Sequence, residues 1–431
     1  MTELYSIGIF CKNSEENMDK ILNLNGTIKL EGSKSILNRI LILSTFMTKP
    51  LKLENFSSSE DIITLVQNLR RLGMKIIQEN NTITIGIPEK FQDGQTYFIK
   101  NSGTALRFLL TRLAFIPGLD SVVDASEQLR SRPVKPLVNI LKNSGVQFKN
   151  DKLPLSFRGI NFRGGNYNVS VSISSQFVSS LLLCSSQLEQ DLIIHYSGTP
   201  VSVSYIDLTR DILQDFGIKV EKQNNSYRVQ RGQKITIPDE YRIEPDLSSA
   251  AYFFALGAVN EGEVKVQVPD RSKQPDHKFL KILEEMGAKI EYDGNLVTVK
   301  KDRLTGIKAD MNTMPDQVPT LACLALLADS PTEIYGIDQL QYKESDRLMA
   351  LLQELPKLGS SLRYEGNRLH VTPLRSEPTE CRLETHHDHR LIMSFSLLKQ
   401  VFPQINLSGR KAVLKSFPHF FKLLASLRDN A

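Results

Sequence analysis

The chain has 431 residues, more than one hydrophobic core usually supports, so its length predicts two domains. Hydrophobic residues make up 41% and charged residues 23%, as in soluble globular proteins, and no apolar run approaches the roughly 18 residues of a membrane-spanning helix. The net charge is only +5 and the basic residues are dispersed, which argues against a nucleic-acid binder and favours small acidic substrates.

The N-terminal segment argues against export. It has no apolar signal-peptide core, and it contains Glu3, Glu15 and Glu16, which are unusual in transit peptides. The cysteines show neither paired metal-ligand spacing nor a disulfide framework; they are Cys11, Cys184, Cys323 and Cys381. We therefore expect a cytoplasmic protein with free thiols, and no motif requires a metal or an organic cofactor.

The first strong feature is a turn of small residues, beginning at Gly32, that runs into an apolar helical stretch over 36–46. Lys34 and Arg39 lie on the first turns of this helix. A helix N-terminus offers unpaired backbone N–H groups and the positive end of the helix dipole, so two added cations predict a site for phosphate or carboxylate. An ordinary capped surface helix would show a similar stretch. The interpretation as an anion site therefore depends on whether similar features recur later in the sequence.

An internal repeat follows along the chain. Glycines that each close an amphipathic, helix-like segment recur every 70 to 72 residues, at Gly73, Gly145, Gly217, Gly287 and Gly359. Each glycine is predicted to be a helix C-cap. A few residues later comes a turn signal, such as Asn80-Asn81, between alternating apolar residues, which predicts a hairpin. The repeat is thus helix, strand, turn, strand, and 420–427 is predicted to be the last helix of a sixth copy.

The first helix of every repeat begins at an equivalent place. Small or polar turns meet apolar runs at intervals of 69 to 73 residues, at Lys34, Gly103, Ser174, Leu247, Asp316 and Asp388. If the six N-termini converge, their dipoles produce a positive field suited to a multiply charged anion. Six ordinary N-caps would explain the Ser and Asp residues, but not the additional charges that surround these helix starts.

Six short motifs in register give the chain a specific resemblance. Their order and spacing are similar to those of the 5-enolpyruvylshikimate-3-phosphate synthase family over essentially the whole chain; they are Gly32 to Arg39, Asn101 to Arg107, Leu129 to Pro133, Ser174 to Phe177, Lys343 to Arg347 and Asp388 to Arg390. The resemblance implies an α/β fold, the two-domain inside-out α/β barrel of the enolpyruvyl transferases, with six βαβαββ repeats, three per domain.

The same resemblance implies how the chain is divided. It crosses between domains twice, near Leu30 and near Glu244. Residues 1–31 plus 243–431 are therefore expected to form domain 1, and residues 32–242 to form domain 2. The active site is expected in the cleft between the two domains.

The reaction implied by the resemblance is transfer of the enolpyruvyl (carboxyvinyl) group of phosphoenolpyruvate to the 5-hydroxyl of shikimate 3-phosphate. Phosphate is released through a tetrahedral intermediate, in the shikimate pathway step of chorismate and aromatic amino acid biosynthesis. These two small molecules are the expected partners, and neither nucleic acid nor a membrane is expected as a partner. The enzyme is expected to be a monomer. The chemistry requires an acid/base pair and enough positive charge to hold two anions together.

Two carboxylates and one lysine match the family's catalytic residues. By this resemblance Asp316 takes the proton of the sugar hydroxyl, Glu344 exchanges the proton of the methylene group, and Lys34 is the third catalytic residue. The division of the proton steps stays open. An N-cap after a proline is the alternative for Asp316, and an exposed partner of Arg347 is the alternative for Glu344.

The binding residues are also carried over from the resemblance. Those for shikimate 3-phosphate are Lys34, Ser35, Arg39, Ser174, Ser175, Gln176, Ser202, Asp316 and Lys343. Those for phosphoenolpyruvate are Lys34, Gly103, Arg132, Gln176, Arg347, Arg390 and Lys415. Arginine suits this role because its planar guanidinium binds carboxylate and phosphate in a bidentate manner. His389 is expected to support the site rather than to act as a nucleophile, and no metal ligand is predicted.

The chain departs from the family pattern at three positions. Glu31 replaces a common Pro, Lys100 replaces a common Gly, and Gln339 replaces an Asn that contacts the substrate. Sister transferases that act on UDP-N-acetylglucosamine are one alternative, but their mobile loop carries a reactive cysteine, and 132–136 contains none. A non-catalytic binding protein on the same scaffold is a further alternative, which the two retained carboxylates disfavour.

Overall fold

The computed structural model describes residues 24–198 and 201–427. The predictions made for Cys11 and for Glu3, Glu15 and Glu16 lie outside these ranges. Within the described ranges, no helix combines the length and the apolar character needed to span a bilayer.

Short strands alternate with helices along the described chain, as the repeat predicts. In chain order the strands are β1 (Gly26–Ile28), β2 (Leu51–Glu54), β3 (Lys75–Glu79), β4 (Thr82–Gly86), β5 (Gln95–Phe98), β6 (Asp120–Asp124), β7 (Gln147–Phe148), β8 (Leu155–Arg158), β9 (Gly165–Ser170), β10 (Leu192–Ser197), β11 (Val220–Gln223), β12 (Ser226–Val229), β13 (Glu240–Arg242), β14 (Glu263–Gln267), β15 (Lys289–Asp293), β16 (Leu296–Lys300), β17 (Lys308–Asp310), β18 (Thr332–Tyr335), β19 (Leu362–Glu365), β20 (Arg368–Val371), β21 (Cys381–Leu383) and β22 (Ile405–Leu407).

The helices include the predicted terminal one. In chain order they are α1 (Lys34–Leu43), α2 (Glu60–Arg71), α3 (Gly103–Ala114), α4 (Glu127–Arg130), α5 (Lys135–Asn143), α6 (Gln176–Leu182), α7 (Ser204–Asp215), α8 (Leu247–Val259), α9 (Phe279–Met286), α10 (Val318–Leu326), α11 (Arg347–Glu354), α12 (His389–Val401) and α13 (Phe420–Ser426). The predicted helix over 36–46 is α1 followed by a short 3₁₀ turn, Ser44–Phe46.

Each hairpin predicted from a turn signal is present and forms half of a four-stranded sheet. In the sheet β5-β6-β8-β7, β5 and β6 are parallel, β6 and β8 are antiparallel, and β8 pairs with β7 across the turn. Four further sheets have the same plan: β13-β2-β4-β3, β11-β12-β10-β9, β1-β14-β16-β15 and β17-β18-β20-β19. The sixth sheet, β21-β22, is a parallel pair without a hairpin in the described residues.

The glycines at the repeat period follow the helical segments that precede these hairpins. All five have positive φ, from 77° at Gly217 to 107° at Gly73. Glycine adopts this left-handed conformation without a steric penalty, whereas a side chain makes it unfavourable. Gly287 and Gly359 are the predicted C-caps, whereas Gly73, Gly145 and Gly217 lie one residue after the C-cap; all five mark equivalent points of the repeat.

The helices that begin the repeats lie inside the sheets. α8, α10 and α12 pack against one another in one set, and α1, α3 and α6 pack in a second set. Every residue of α8 and of α10 is buried. A helix that is apolar on all sides needs cover on all sides, which the surrounding sheets provide. The resulting order, helices inside and sheets outside, is the predicted inside-out barrel.

Two separate hydrophobic cores result. The first contains buried residues from Ile36 to Ile243, and the second contains those from Leu24 to Leu30 and from Leu247 to Leu427. We call the parts of the chain around them the first-core half and the second-core half. α1, α3 and α6 belong to the first-core half, and α8, α10 and α12 belong to the second-core half.

The chain passes between the two halves through two crossing segments, 29–33 and 243–246. They result from a strand exchange, because β1 pairs with β14 in the second-core half and β13 pairs with β2 in the first-core half. The crossing segments also pair with each other, since the backbone N of Ser33 donates to the carbonyl of Glu244 at 2.8 Å. A Cβ on Gly32 would lie 1.9 Å from a neighbouring backbone oxygen, so glycine is required at this close approach.

Candidate active site

The N-termini of the inner helices meet at a cavity between the two halves. Its polar lining consists of Lys34, Ser35, Arg39, Asp61, Gly103, Thr104, Arg107, Arg132, Ser174, Ser175, Gln176, Ser202, Tyr205, Asp316, Gln339, Tyr342, Lys343, Glu344, Arg347, His389 and Arg390. Every residue predicted for the site is in this lining except Lys415, which forms an ion pair with the lining residue Asp61. The structure thus brings the predicted residues together from six separate motifs.

α8 is the exception among the inner helices. Its N-cap Asp246 accepts hydrogen bonds from the backbone N of Ser249 at 2.8 Å and from the backbone N of Lys34 at 3.0 Å. This carboxylate therefore ties the start of α8 to the start of α1. Four of the predicted helix starts line the cavity, namely Lys34, Gly103, Ser174 and Asp316, and α12 reaches it through His389 and Arg390. The prediction that the helix starts converge on one site is therefore wrong only for Leu247 at the start of α8.

Arg347, at the start of α11, is the electrostatic centre of the second-core side. Its Nε and Nη2 donate to the two oxygens of Asp388 at 2.8 and 3.2 Å. Its Nη1 donates to Asp316 at 2.7 Å, and its Nη2 also donates to Glu344 at 2.9 Å. Burial opposes the charged form of Arg347, but the three carboxylates outweigh it and raise the pKa of the guanidinium. Arg347 is therefore fixed in position by three acidic residues.

Asp316 is held ionised by three cations. Besides Arg347, Lys343 Nζ lies 3.2 Å from its Oδ1, and Arg390 Nη2 donates to its Oδ2 at 3.3 Å. Burial alone would raise the pKa of Asp316, but Lys343, Arg390 and Arg347 outweigh this and hold the pKa well below its ordinary value. The N-cap positions of the 3₁₀ turn around Asp316 and of α10 belong to other residues. The alternative of Asp316 as a simple N-cap is therefore wrong.

Glu344 is likewise surrounded by cations. Arg132 Nη1 donates to its Oε1 at 3.2 Å, and Lys415 Nζ lies 3.7 Å from the same oxygen. Burial opposes ionisation of Glu344, but Arg132, Arg347 and Lys415 outweigh it, so its pKa lies well below the ordinary value. The side chain pairs with Arg347 as the alternative reading expected, but it is only 14% exposed rather than solvated. Because Arg132 belongs to the first-core half, its bond to Glu344 joins the two halves.

Asp61, a carboxylate that the sequence analysis did not single out, joins the two lysines of the site. Its oxygens accept hydrogen bonds from Lys34 Nζ at 2.9 Å and from Lys415 Nζ at 2.8 and 2.9 Å. Burial opposes ionisation of Asp61, but the two lysines outweigh it and lower its pKa. The only sequence signal was an acidic residue in the first turn of α2, a position that usually reflects the helix dipole alone.

Arg39 and several hydroxyl groups form the first-core wall of the cavity. Arg39 is buried; its Nε donates to Thr209 Oγ1 at 2.8 Å, its Nη1 to the Ser35 carbonyl at 2.7 Å and its Nη2 to the Tyr205 carbonyl at 2.8 Å. Burial lowers its pKa to about 10. Ser202 lies in the same wall, with a left-handed φ of 54°. This wall combines one fixed guanidinium with hydroxyl donors, as an anionic polyol requires.

Gln176 is oriented by Arg107, a residue quoted above only as part of a motif. Arg107 Nη1 donates to Gln176 Oε1 at 2.8 Å, and Gln176 Nε2 donates to Thr104 Oγ1 at 3.0 Å. A Cβ on Gly103 would lie 2.7 Å from Arg132 Nη1, so glycine leaves room for two guanidiniums. The buried Nε atoms of Arg107 and Arg132 have no hydrogen-bond partner among the described residues. Buried donors of this kind are costly unless a ligand supplies the acceptor.

His389 is buried beside this network. Its Nδ1 lies 3.6 Å from Asp388 Oδ1. Burial, followed by the charge of Lys34, lowers its pKa well below the ordinary value, although Glu344 opposes the effect. A neutral imidazole next to several ions is consistent with the expected supporting role.

Comparison with known proteins gives one family. The sequence pattern of the family described as EPSP synthase (3-phosphoshikimate 1-carboxyvinyltransferase) matches residues 18–424. A protein named 3-phosphoshikimate 1-carboxyvinyltransferase from Hamiltonella defensa subsp. Acyrthosiphon pisum (strain 5AT) is 36% identical over 423 residues, covering 95% of this chain and 98% of its own. The chain belongs to the EPSP synthase family.

A further relative and two solved structures are also similar to this chain. The protein named 3-phosphoshikimate 1-carboxyvinyltransferase from Haemophilus influenzae (strain PittEE) is 34% identical over 412 residues, covering 92% of this chain and 95% of its own. A solved EPSP synthase structure from Acinetobacter baumannii has a TM-score of 0.78 at 23% identity, covering 95% and 98% of the two chains. The enolpyruvyl transferase NikO from Streptomyces tendae has a TM-score of 0.74 at 16% identity, covering 95% and 96%. These structures confirm the predicted two-domain enolpyruvyl transferase fold.

At the three departures from the EPSP synthase pattern, Glu31 has local partners, Lys100 has a left-handed backbone conformation and Gln339 lines the cavity. Glu31 accepts hydrogen bonds from the backbone N and the Oγ of Ser58 at 3.0 and 2.9 Å, outside the cavity lining. Lys100 has a φ of 50°, in the left-handed region that favours the usual glycine. Gln339 lines the cavity; its Nε2 donates to the Gly336 carbonyl at 3.2 Å, and its buried Oε1 has no partner among the described residues.

Proposed function

We propose that this cavity carries out the reaction of the EPSP synthase family. The enolpyruvyl group of phosphoenolpyruvate is transferred to the 5-hydroxyl of shikimate 3-phosphate, and phosphate is released, as a step of the shikimate pathway. The family match over 18–424 and the curated relatives support this reaction. The observation that carries the assignment to the cavity is the pair of ionised carboxylates, Asp316 and Glu344, among cations from both halves.

We assign phosphoenolpyruvate to the cationic part of the cavity. The residues that bind it are Lys34, Gly103, Arg132, Gln176, Arg347, Arg390 and Lys415. In the structure these cations pair with the carboxylates of Asp61, Asp316 and Glu344. The carboxylate and phosphate of the substrate replace these acidic partners, and each charge-assisted hydrogen bond contributes about 1.5–3 kcal/mol. Binding therefore exchanges ion pairs, which limits the net affinity.

We assign shikimate 3-phosphate to the adjacent wall. The residues that bind it are Lys34, Ser35, Arg39, Ser174, Ser175, Gln176, Ser202, Asp316 and Lys343. The hydroxyls donate to phosphate and ring oxygens, and the fixed guanidinium of Arg39 compensates the negative charge. Asp316 lies between the two substrate regions, because it contacts both Lys343 and Arg390.

The proton steps follow from the neighbours of the carboxylates. In this structure Arg132, Arg347 and Lys415 hold Glu344 ionised; once these cations bind the substrate anion, the pKa of Glu344 rises and the carboxyl group can carry a proton. Protonation of the phosphoenolpyruvate methylene by Glu344, beside Lys34, creates a cationic carbon, to which the 5-hydroxyl adds while Asp316 takes its proton. Removal of a methyl proton from the tetrahedral adduct and departure of phosphate then form the enol ether of the product. Arg347 and Arg390 lower the pKa of Asp316 in the structure. Once they bind the substrate anion, the pKa of Asp316 rises and makes it a better base.

The two hydrophobic cores support domain boundaries at the crossing segments. Domain 1 comprises 1–31 plus 243–431, and domain 2 comprises 32–242, with the active site in the cleft between them. We expect a monomer, because one chain supplies every group assigned to the site. We also expect the protein in the cytoplasm.

The test is phosphate release from phosphoenolpyruvate with shikimate 3-phosphate, with UDP-N-acetylglucosamine and with no acceptor. We expect release with shikimate 3-phosphate only. Asp316→Asn lowers kcat by about 10²- to 10⁴-fold, because the general base is lost. The matched control is Asp310→Asn, an exposed aspartate outside the cavity lining, which retains activity. Equal activity of both variants, or release with the nucleotide sugar, would contradict the proposal.

A further inference from the structure

A second cavity, of about 510 Å³, lies at the far end of the first-core helices. α1 and α3 begin at the active-site cavity, at Lys34 and Gly103, and end at this second cavity, near Phe46 and Phe115. Its lining includes Phe46, Phe91, Arg112, Phe115, Phe162 and Ser186. A volume in the range of about 300–1,000 Å³ is typical of small-molecule sites. We call it the distal cavity.

Arg112 is the charged group of the distal cavity. It is 6% exposed, and no carboxylate among the described residues forms an ion pair with it. Its Nε donates to Thr45 Oγ1 at 2.6 Å, its Nη1 to the Phe115 carbonyl at 3.2 Å and its Nη2 to the Thr45 carbonyl at 3.4 Å. A guanidinium has five N–H donors, so these three bonds leave one N–H on each terminal nitrogen for an acceptor. A buried cation without a counter-ion is costly.

The helix ends at the distal cavity account for part of the hydrogen bonding of Arg112, because they supply the Phe115 carbonyl at the C-cap of α3 and the Thr45 carbonyl just past α1. Their last carbonyls already accept other hydrogen bonds: Leu41 from Ser44 Oγ at 2.7 Å, Ile42 from Thr45 Oγ1 at 2.7 Å, and Ala114 from the backbone N of Ile160 at 2.9 Å. The carbonyls that Arg112 contacts are neutral acceptors, so they leave its positive charge without a counter-ion. The other buried arginines of the first-core half that lack a carboxylate ion pair, Arg39 and Arg107, both line the active-site cavity, where the proposed function places two anionic substrates.

Aromatic rings form much of the remaining wall. The ring of Phe46 lies 3.9 Å from the guanidinium carbon of Arg112, and that of Phe91 lies 5.5 Å from it. Phe115 and Phe162 stack with their centroids 4.0 Å apart. These rings favour a planar, apolar ligand body.

A second polar group in the distal cavity also lacks a partner. Ser186 is 9% exposed, and its Oγ is buried without a hydrogen-bond partner among the described residues. A hydroxyl can donate to a carboxylate oxygen. The cavity therefore combines an uncompensated cation, an unused hydroxyl donor and aromatic walls.

We propose that the distal cavity binds a small aromatic carboxylate. The carboxylate accepts hydrogen bonds from the terminal nitrogens of Arg112 and from Ser186, and the aromatic ring packs against Phe46, Phe91 and Phe115. A monoanion fits best, because the cavity supplies one buried positive charge.

The test is calorimetric titration of the full chain with phenylacetate, while saturating shikimate 3-phosphate occupies the active-site cavity. We expect a dissociation constant of about 1 mM or tighter. The neutral analogue phenylacetamide and the ring-free anion acetate each bind about tenfold or more weakly, because each lacks one of the two recognised features. Equal binding of phenylacetamide, or no binding of phenylacetate, would overturn the proposal.

Three variants locate the site. Arg112→Leu weakens phenylacetate binding about tenfold or more, through loss of the charge-assisted bonds. If that variant does not fold, Arg112→Lys, which keeps the charge but loses the planar fork, is expected to weaken binding several-fold. Arg132→Ala removes a cation of the active-site cavity and leaves phenylacetate binding unchanged. Loss of binding in Arg132→Ala, with normal binding in the Arg112 variants, would place the ligand in the active-site cavity and refute the distal site.

Discussion

Asp388→Asn tests the reasoning about the buried network most directly. The carboxylate of Asp388 is fully buried and accepts from Arg347 Nε at 2.8 Å and Nη2 at 3.2 Å, from Ser345 Oγ at 3.1 Å and from the backbone N of Arg390 at 2.8 Å. An asparagine keeps the shape but loses the charge, and its NH₂ group faces a donor. The substitution therefore leaves Arg347 partly uncompensated at a buried position.

The expected magnitude follows from that burial. Removing one partner of a buried ion pair costs about 3–5 kcal/mol. Because Arg347 keeps Asp316 and Glu344, we expect the lower end, about 3 kcal/mol. For a cooperative unit of about 150–250 residues, 1 kcal/mol shifts the thermal midpoint by about 2–4 °C, so the midpoint falls by about 6–12 °C.

The assay is differential scanning calorimetry at neutral pH. Asp346→Asn is the matched control, because Asp346 is exposed and only caps α11 by accepting from the backbone N of Met349 at 3.0 Å. Asparagine caps helices about as well as aspartate, so this variant keeps the wild-type midpoint. A midpoint for Asp388→Asn that matches the control would refute the view that Asp388 fixes Arg347.

Three further predictions concern the site. Lys34→Ala lowers kcat/KM by about 100-fold or more in the phosphate-release assay, because one ammonium serves both substrates; retained activity would contradict the assignment. Arg132→Ala raises the KM for phosphoenolpyruvate about tenfold or more and that for shikimate 3-phosphate much less, whereas Arg130→Ala, which removes a surface pair with Asp124, changes neither. Because the pKa of His389 is lowered in the folded state, its contribution to stability is present above about pH 6.5 and is lost as the pH falls below that value. His389→Asn should therefore make the thermal midpoint less dependent on pH between pH 7 and 5. An unchanged pH dependence of the midpoint would contradict this.

The local parts of the fold could be predicted from the sequence. A glycine such as Gly287 ends its helix because of its own backbone conformation, and a turn such as Asn80-Asn81 makes its hairpin from nearby residues. These signals depend on a few consecutive residues, so the periodicity was sufficient to find them. The exchange of β1 and β13 leaves no such local signal, because each strand pairs with a partner far away along the chain. It was predicted only through the resemblance to a known family.

In the candidate site too, some residues could be predicted from the sequence and others could not. The helix starts were predicted because they recur in phase, whereas the site residues were predicted through the resemblance to a known family; the structure places these site residues around one cavity, with Lys415 beside it. Asp61 was missed because its role depends on two lysines, Lys34 and Lys415, that approach it only in the folded protein. Arg107 and Arg112 were also missed as individual groups, since a basic residue in an apolar helix does not reveal whether it meets a carboxylate, a carbonyl or a cavity.

The strand exchange also sets the order of events during synthesis. β1 leaves the ribosome early, but its partner β14 begins at Glu263, 237 residues after Gly26. At about 5–20 residues per second this interval lasts about 12–50 s. Every strand that packs around the first core, including β13, is complete before β14 has been made. The first-core half can therefore fold while β1 still lacks its partner strand. Until β14 has been synthesised, the unpaired backbone groups of β1 are able to pair with other strand edges, so β1 has to be protected from such wrong pairing.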